Sequence, residues 1–217
     1  MYEHINTNRL LTDRQSWYRP GHNTQIQLIH RTNKLYKSLD KQEDFTIVYL
    51  DISRYYENIW HDGLLPKCKS EFGIRGRVLC WLKSYLGERS QIVRVGNDES
   101  PPLSLKAGVP QGSVLGPLLA IMYLNGHSCA TVNPMLYFAD DSSIYCSHTP
   151  DNYASKKHEL QNDLDKMHAY GNKWAITFNA DKTTQQTFSK RRDIQIPEFT
   201  FGGCPILQAN EHKHLGQ

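Results

Sequence analysis

Apolar positions along the 217-residue chain change their period several times, and each change marks an element. In residues 24 to about 39, Ile26, Ile29 and Leu35 recur at helical spacing, which predicts a helix with those side chains on its inner face. Phe45-Thr46-Ile47-Val48-Tyr49-Leu50 then runs almost without polarity, as a strand buried on both faces does, and Asp51 stands at its C-terminal end. Helices are predicted near residues 61–69 and 75–86, the second carrying Val78, Leu79, Leu82 and Tyr85 as a core stripe. Residues 91–95 and 103–106 alternate with period two and predict antiparallel strands joined through Gly96-Asn97-Asp98.

Further along, two glycines and a proline crowd into Ala107-Gly108-Val109-Pro110-Gln111-Gly112, which specifies a tight loop. Ser113, Pro117 and an apolar run then open a helix reaching about Asn125. Tyr137-Phe138-Ala139 and Ile144-Tyr145-Cys146 flank a polar Asp140-Asp141-Ser142-Ser143 centre, which reads as two short strands with the acidic pair at the tip of a tight turn. Leu160, Leu164 and Met167 predict a long amphipathic helix over residues 151–173, opened by Pro150-Asp151. Three short strands finish the chain, with a Gly202-Gly203 hairpin turn inside residues 199–206. The sum is an α+β fold in which helices back one face of an antiparallel sheet and leave the other face open.

Composition narrows the classes without choosing one. At 39% hydrophobic, the chain buries one sizeable core, or one core and a small accessory lobe. A formal charge of +3 is too weak to argue for nucleic acid by itself. Cys68, Cys80, Cys129, Cys146 and Cys204 are odd in number and form no C-x-x-C pair, which argues against a disulfide framework or a zinc site and suits a reducing compartment. No run of eighteen apolar residues exists and Met1-Tyr2-Glu3-His4-Ile5-Asn6 lacks a signal pattern, so the expected location is intracellular, nucleus or cytoplasm, with no membrane partner. His212 and His214 read as a surface strand in preference to a ligand pair.

The chemistry lies in the acids and the glycine loop. Adjacent like charges on a rigid hairpin become favourable when a hard divalent cation, typically Mg²⁺, binds their oxygens, which makes Asp140 and Asp141 candidate ligands. Asp51 admits two readings, a helix or turn cap before Ile52-Ser53, or a third carboxylate for the same cation. Glycines let backbone approach a base or phosphate closely, and Gln111 beside Gly112 offers both a donor and an acceptor.

In order and spacing these segments resemble the palm of a reverse transcriptase from a non-LTR (LINE-like) retrotransposon. The first motif is residues 49–65, the second residues 107–119, the third Phe138-Ala139-Asp140-Asp141, the fourth residues 174–183 and the fifth Lys213-His214-Leu215-Gly216; Arg19-Pro20-Gly21-His22-Asn23-Thr24 resembles the motif preceding the palm. The resemblance implies a right-hand polymerase palm over residues 45–217 with a partial fingers segment over residues 1–44. It also implies an RNA-directed DNA polymerase that extends a DNA primer on an RNA template from deoxynucleoside triphosphates, with two Mg²⁺ ions or Mn²⁺ in their place. Asp51, Asp140 and Asp141 would hold the ions, with the Ile52 carbonyl as a further oxygen ligand. Tyr56 would lie under the sugar and exclude a ribose 2′ hydroxyl, its other reading being a core aromatic. Gln111 and Gly112 would flank the nucleotide, and Lys182 would protonate the departing pyrophosphate, its other reading being a solvated turn residue.

Three residues depart from the family pattern: Trp17 and Gly126, where glycine and aspartate are usual, and Glu57, where aspartate is common. The Trp17 ring needs space that a close-packed site does not offer. The cluster Lys190-Arg191-Arg192 reads either as a phosphate-tracking patch or as a solvated turn. Only Arg9 and Arg14 supply Arg or Lys charge before Arg19, so the expected protein is a truncated fragment, inactive by itself. The alternative is a decayed palm that at most binds primer-template.

Overall fold

A computed structural model of the chain describes residues 1–126 and 131–211; Cys129, His212, His214 and the fifth motif lie outside the described residues. In chain order its elements are α1 (Tyr2–Thr7), α2 (Thr24–Asp40), β1 (Asp44–Ile52), a 3₁₀ turn (Tyr55–Glu57), α3 (His61–Ser70), α4 (Gly76–Leu86), β2 (Arg89–Gln91), β3 (Arg94–Val95), β4 (Asp98–Glu99), β5 (Leu103–Leu105), α5 (Gly116–Leu124), β6 (Met135–Phe138), β7 (Asp141–His148), a 3₁₀ turn (Pro150–Asn152), α6 (Tyr153–Lys173), β8 (Phe178–Phe188), β9 (Thr200–Phe201), β10 (Cys204–Pro205) and β11 (Leu207–Gln208). They form two compact units, Met1–Leu11 with Arg54–Asn125, and Thr12–Ser53 with Gly126–Gln217. Among the described residues no helix is long and apolar enough to cross a membrane.

The unit that begins at Thr12 is built on a five-stranded sheet in the order β11-β8-β1-β7-β6. Its central strand β1 pairs antiparallel with both β7 and β8, and successive residues Phe45 to Leu50 are all buried, so both of its faces are covered and its sequence shows no polar face. The sheet is antiparallel except at one edge, where β11 lies parallel to β8. Phe45, Ile47, Tyr49 and Tyr145 form a buried cluster against which Leu35 of α2, Leu136 and Phe188 pack. Helix α6 adds Leu160, Leu164 and Met167, all fully buried, as its stripe predicts. Helix α2 departs from expectation: Ile29 is 58% exposed, and the buried positions are Gln27 and Ser38. Of the two, Ser38 has a polar partner on the sheet, whereas the Gln27 amide is buried without a hydrogen-bond partner among the described residues. Ser38 Oγ meets Ser147 Oγ at 2.6 Å, and the Arg31 guanidinium lies 5.5 Å from the Tyr49 ring centroid.

The far end of the same sheet absorbs part of the basic cluster. Asp44, almost wholly buried, is gripped by two Arg191 nitrogens, with His148 Nδ1 at 3.9 Å. Burial by itself would raise the Asp44 carboxyl, but hydrogen bonds from Arg191 and Ser189 and the charges of Arg191 and His148 outweigh it and hold the group below its ordinary value. Arg191 is therefore part of the fold, and Lys190 pairs with Asp40 at 3.1 Å on the surface.

In the other unit, α5 is buried along its whole length, and its C-terminal carbonyls end inside the protein. Lys67 of α3, 1% exposed, supplies the missing donors: its Nζ donates to the Tyr123 carbonyl at 2.7 Å and to the Asn125 carbonyl. The Val78 of the expected α4 stripe is 45% exposed, while Leu82 and Leu86 are buried. The expected long hairpin divides into two short ones, β2 with β5 and β3 with β4, because the ladder breaks at Ile92-Val93 and a two-residue turn at Gly96-Asn97, with Gly96 at φ +62°, brings Asp98 opposite Val95.

Replacing Lys67 with Met keeps the aliphatic volume and strands the α5 carbonyls. Lys67→Met is expected to cost about 1–3 kcal/mol of stability, the penalty for unsatisfied buried acceptors, read as a lower midpoint in urea denaturation.

Candidate active site

The register of β1 and β7 decides where the acids stand. Tyr49 pairs with Ser143 and Leu50 with Ser142, so the next residue on each strand, Asp51 and Asp141, comes to the same end of two neighbouring strands. Asp140 follows from the hairpin. Phe138 pairs with Asp141 to close β6 against β7, which leaves Ala139 and Asp140 as a two-residue turn with Ala139 at φ +56°. The turn is tighter than the sequence implied, since Ser142 and Ser143 belong to β7 and are buried against β1. Ser142 Oγ donates to the Leu50 carbonyl at 3.4 Å, while Ser143 Oγ is buried without a hydrogen-bond partner among the described residues.

The electrostatics follow from this crowding. Asp140 is raised above the ordinary carboxyl value of 3.8, first by burial and further by the charge of Asp51, against a hydrogen bond from its own backbone amide that lowers it. Asp141 is raised first by burial, then by the charge of Asp140 and then by that of Asp51. Each carboxylate is thus within electrostatic reach of the others. The donor set is all carboxylate oxygen, the chemistry that hard divalent cations prefer. Among the described residues, however, no three His, Cys, Asp or Glu side chains are already gathered into a ligand cluster.

Strand β8 flanks Asp51 on its other side with an irregularity. Tyr49 faces Thr184, but Asp51 faces Asn179, so residues 180–183 bulge out of the ladder. Thr183 Oγ1 donates to the Asn179 carbonyl at 2.8 Å and the Asp181 amide to Asn179 Oδ1 at 3.1 Å, which fixes the bulge. Lys182 stands exposed on it. Ile52 is buried and pairs with Phe178.

The unit that carries α5 holds the other predicted residues. Tyr55 takes the buried position and its hydroxyl donates to the Ala120 carbonyl at 2.5 Å, whereas Tyr56 is only half-buried. The Val109 amide donates to the Tyr56 carbonyl at 2.9 Å and the Gly108 amide to the Ile59 carbonyl at 2.9 Å, tying the glycine loop to the segment around Tyr56. Gly108, at φ +92°, is required here, because a Cβ would come 2.8 Å from the Glu57 carbonyl oxygen. A cavity of about 460 Å³ opens beside this loop, lined among others by Glu57, His61, Arg89, Gly108 and Gln111.

Two residues with no prior claim from the sequence support the acidic hairpin. Asp163 of α6, fully buried, accepts from the Val132 and Asn133 amides, the latter at 2.8 Å, and from Asn133 Nδ2 at 2.8 Å, which anchors the approach to β6. An acid at the centre of an otherwise apolar stripe, between Leu160 and Leu164, is the signal that marks it. The Gln15 side chain bonds the backbone of Ala139 in the turn itself. Trp17, expected to be crowded, is half-buried with its ring 5.7 Å from that of Tyr18, and it joins this network through its main-chain amide.

Comparison with known proteins gives the same picture. A family model described as "Reverse transcriptase (RNA-dependent DNA polymerase)" matches residues 1–217. The Drosophila melanogaster protein named "Probable RNA-directed DNA polymerase from transposon BS" is 33% identical over 96% of this chain and 24% of its own length. The RNA-directed DNA polymerase from the mobile element jockey of the same species is 29% identical over 99% of this chain and 25% of its own length. The chain thus spans about a quarter of the length of these relatives. Among solved structures, the telomerase of Candida albicans in complex with a fragment of telomeric RNA superposes with a TM-score of 0.56 at 14% identity, over 93% of this chain and 35% of that one. The apo telomerase of Candida tropicalis, truncated from its C-terminal domain, superposes with a TM-score of 0.53 at 14% identity, over 83% and 38%. That likeness is one of fold.

The raised acids set a testable dependence on pH. A carboxyl raised by folding holds its proton more tightly folded than unfolded, so its ionisation opposes the fold; the cost is absent below the unfolded value near 3.8 and complete above the raised value. Asp140→Asn and Asp141→Asn are each expected to melt at a higher temperature than the wild-type chain near neutral pH, by an amount that shrinks as pH falls towards the ordinary carboxyl value. Circular dichroism melts across that range check it, and equal melting temperatures at neutral pH would show that the acids impose no cost.

Proposed function

The chain belongs to the reverse transcriptase (RNA-dependent DNA polymerase) family, and from that premise we propose that the Asp51, Asp140 and Asp141 end of its sheet is the catalytic centre of an RNA-directed DNA polymerase of a LINE-like retrotransposon. The observation that carries the reading is that the three acids stand at one end of two neighbouring strands and in the turn beside them. The β1 and β7 register sets Asp51 and Asp141 side by side, and the hairpin turn adds Asp140. The substrates in this reading are an RNA template, a DNA primer and deoxynucleoside triphosphates.

Asp51, Asp140 and Asp141 would hold divalent ions, Mg²⁺ or Mn²⁺, with the Ile52 carbonyl as a further oxygen donor. When bound, such ions stabilise the charge that develops on the attacking and leaving oxygens of nucleotidyl transfer. The protein's own share is positional. The buried β1 and β7 strands keep Asp51 and Asp141 from swinging apart, and the turn keeps Asp140 at the tip. Lys182, exposed on the β8 bulge that begins opposite Asp51, is a proton donor for the departing pyrophosphate, a role suited to a mobile ammonium on a long stem.

Sugar and base selection fall to residues of the unit that carries α5. Tyr56, left half-exposed while Tyr55 fills the core, is the ring that rejects a ribose 2′ hydroxyl. Gln111 and Gly112, in a loop whose Gly112 sits at φ +74°, present amide and backbone groups to the nucleotide.

Primer extension on an RNA template with Mg²⁺, by this chain placed within a full-length relative, tests the assignment. Asp140→Asn is expected to lower the rate by roughly 10²-fold or more, since it removes a charged ligand and almost no volume. A wild-type rate from that variant refutes the role, and failure of the wild-type chain to extend a bound primer-template in the same full-length context favours the decayed-palm reading. Tyr56→Ala is expected to raise ribonucleotide incorporation relative to deoxyribonucleotide in single-nucleotide competition, because the truncation removes the clash that discriminates them. Unchanged selectivity would return Tyr56 to a packing role.

A further inference from the structure

Ala139 is a non-glycine residue held at φ +56° immediately before the acidic pair. That conformation is unfavourable for an L-residue, so something around it must over-determine it. The side chain of Gln15 is the group in contact with it. Gln15 Nε2 donates to the Ala139 carbonyl at 3.3 Å, and Gln15 Oε1 accepts from the Ala139 amide at 3.2 Å and from the Trp17 amide at 3.0 Å. One amide therefore reads both backbone groups of one residue and fixes the peptide planes on either side of it, the second of which carries the Asp140 nitrogen. Gln15 is 3% exposed, so solvent offers its amide no ready substitute partners.

The docking of this segment does not need that side chain. Residues 14–16 already join the edge of β6 as a short parallel bridge, with the Ser16 amide donating to the Tyr137 carbonyl at 2.9 Å and the Tyr137 amide to the Arg14 carbonyl at 3.0 Å. Arg19 staples the same segment, its Nη1 donating to the Thr12 carbonyl at 2.9 Å and to the Gln15 carbonyl at 3.5 Å and its Nη2 to the Asp13 carboxylate at 3.3 Å, and none of these bonds reaches the Gln15 side chain. The Gln15 amide is thus left over from the docking and spent on the turn.

We propose that Gln15 is a positioning residue for the catalytic carboxylates: its two-point grip on Ala139 sets the direction in which Asp140 and Asp141 leave the β6–β7 hairpin. The proposal rests on the reading of those acids as metal ligands and adds a residue outside the motifs that carry that reading. Gln15 touches neither substrate nor metal, and it acts through the turn. Methionine at this position preserves length and apolar bulk but offers no amide.

The test uses the whole chain with Gln15→Met, Arg19→Met and Asp140→Asn, each measured by Mn²⁺ titration calorimetry well below its melting temperature and by the amide resonances of residues 139–141. Gln15→Met is expected to weaken Mn²⁺ binding by roughly 10-fold or more, the scale seen when a partner behind a metal ligand is removed, and to shift the three resonances while those of β1 stay in place. Arg19→Met, which loosens the segment but leaves the grip, is expected to keep wild-type affinity. Asp140→Asn losing affinity while Gln15→Met keeps it overturns the positioning role and leaves the metal reading standing; Asp140→Asn keeping affinity overturns the metal reading. In that second case the resonances decide, and unshifted signals at residues 139–141 in Gln15→Met overturn the positioning role whatever the metal does. An Arg19→Met chain as weak as Gln15→Met also overturns it, since docking alone would then be the cause. If Gln15→Met does not fold, Gln15→Glu keeps the acceptor for both amides, loses the donor to the Ala139 carbonyl and is read by the same resonances.

Discussion

Two strands far apart in sequence, β1 and β7, are locked in one register by the burial of both, and everything at the acidic end of the sheet follows from that lock. A slip of one residue would turn Phe45, Ile47 and Tyr49 away from Tyr145 and the inner face of α2. It would also carry Asp51 away from Asp141, because side chains alternate between faces along a strand. The same hydrophobic contacts that stabilise the sheet therefore hold three like charges together against their mutual repulsion. Burial first, and that repulsion after it, raises the carboxyls of Asp140 and Asp141.

Around the acids the chain places rigid supports at the positions where backbone departs from regular geometry. Asp163 gathers the amides of Val132 and Asn133 before β6, Gln15 grips Ala139 in the turn, and the side chains of Asn179 and Thr183 tie the β8 bulge next to Asp51. In each case a side chain bonds backbone directly, which fixes peptide orientation with short lever arms. The far end of the sheet is closed by a different device, the Asp44 and Arg191 pair, so part of a basic cluster that suggested nucleic acid is consumed in holding the fold.

The unit that carries α5 solves a separate problem, a helix apolar on every side. Burying it whole is favourable for its side chains and costly for its last carbonyls, and Lys67 reconciles the two by reaching in from α3 with an ammonium. The apolar bulk of Lys67 and its charge are both used, which explains a lysine with 1% exposure. The glycine loop of the same unit is held by its backbone to the segment around Tyr56, leaving Gln111 beside an open cavity.

Local chemistry and periodicity by themselves determined the elements whose signals are local: the buried strand that carries Asp51 near its end, the long helix with Leu160, Leu164 and Met167, and the hairpin turn at Gly202-Gly203. Those depend on side-chain spacing and turn preference, which are written along the chain. The docking face of α2 was not legible, since Ser38 is inward for the sake of a partner on a sheet that the helix sequence cannot see, and Gln27 is buried with no partner for its amide among the described residues. Nor was the extent of the turn, because Ser142 and Ser143 read as loop residues until pairing with Leu50 and Tyr49 draws them into β7. The roles of Gln15 and Asp163 belong to the tertiary structure alone, for each acts on backbone 124 and about 30 positions away, and a hydrogen bond across such a distance leaves no periodic trace in the sequence.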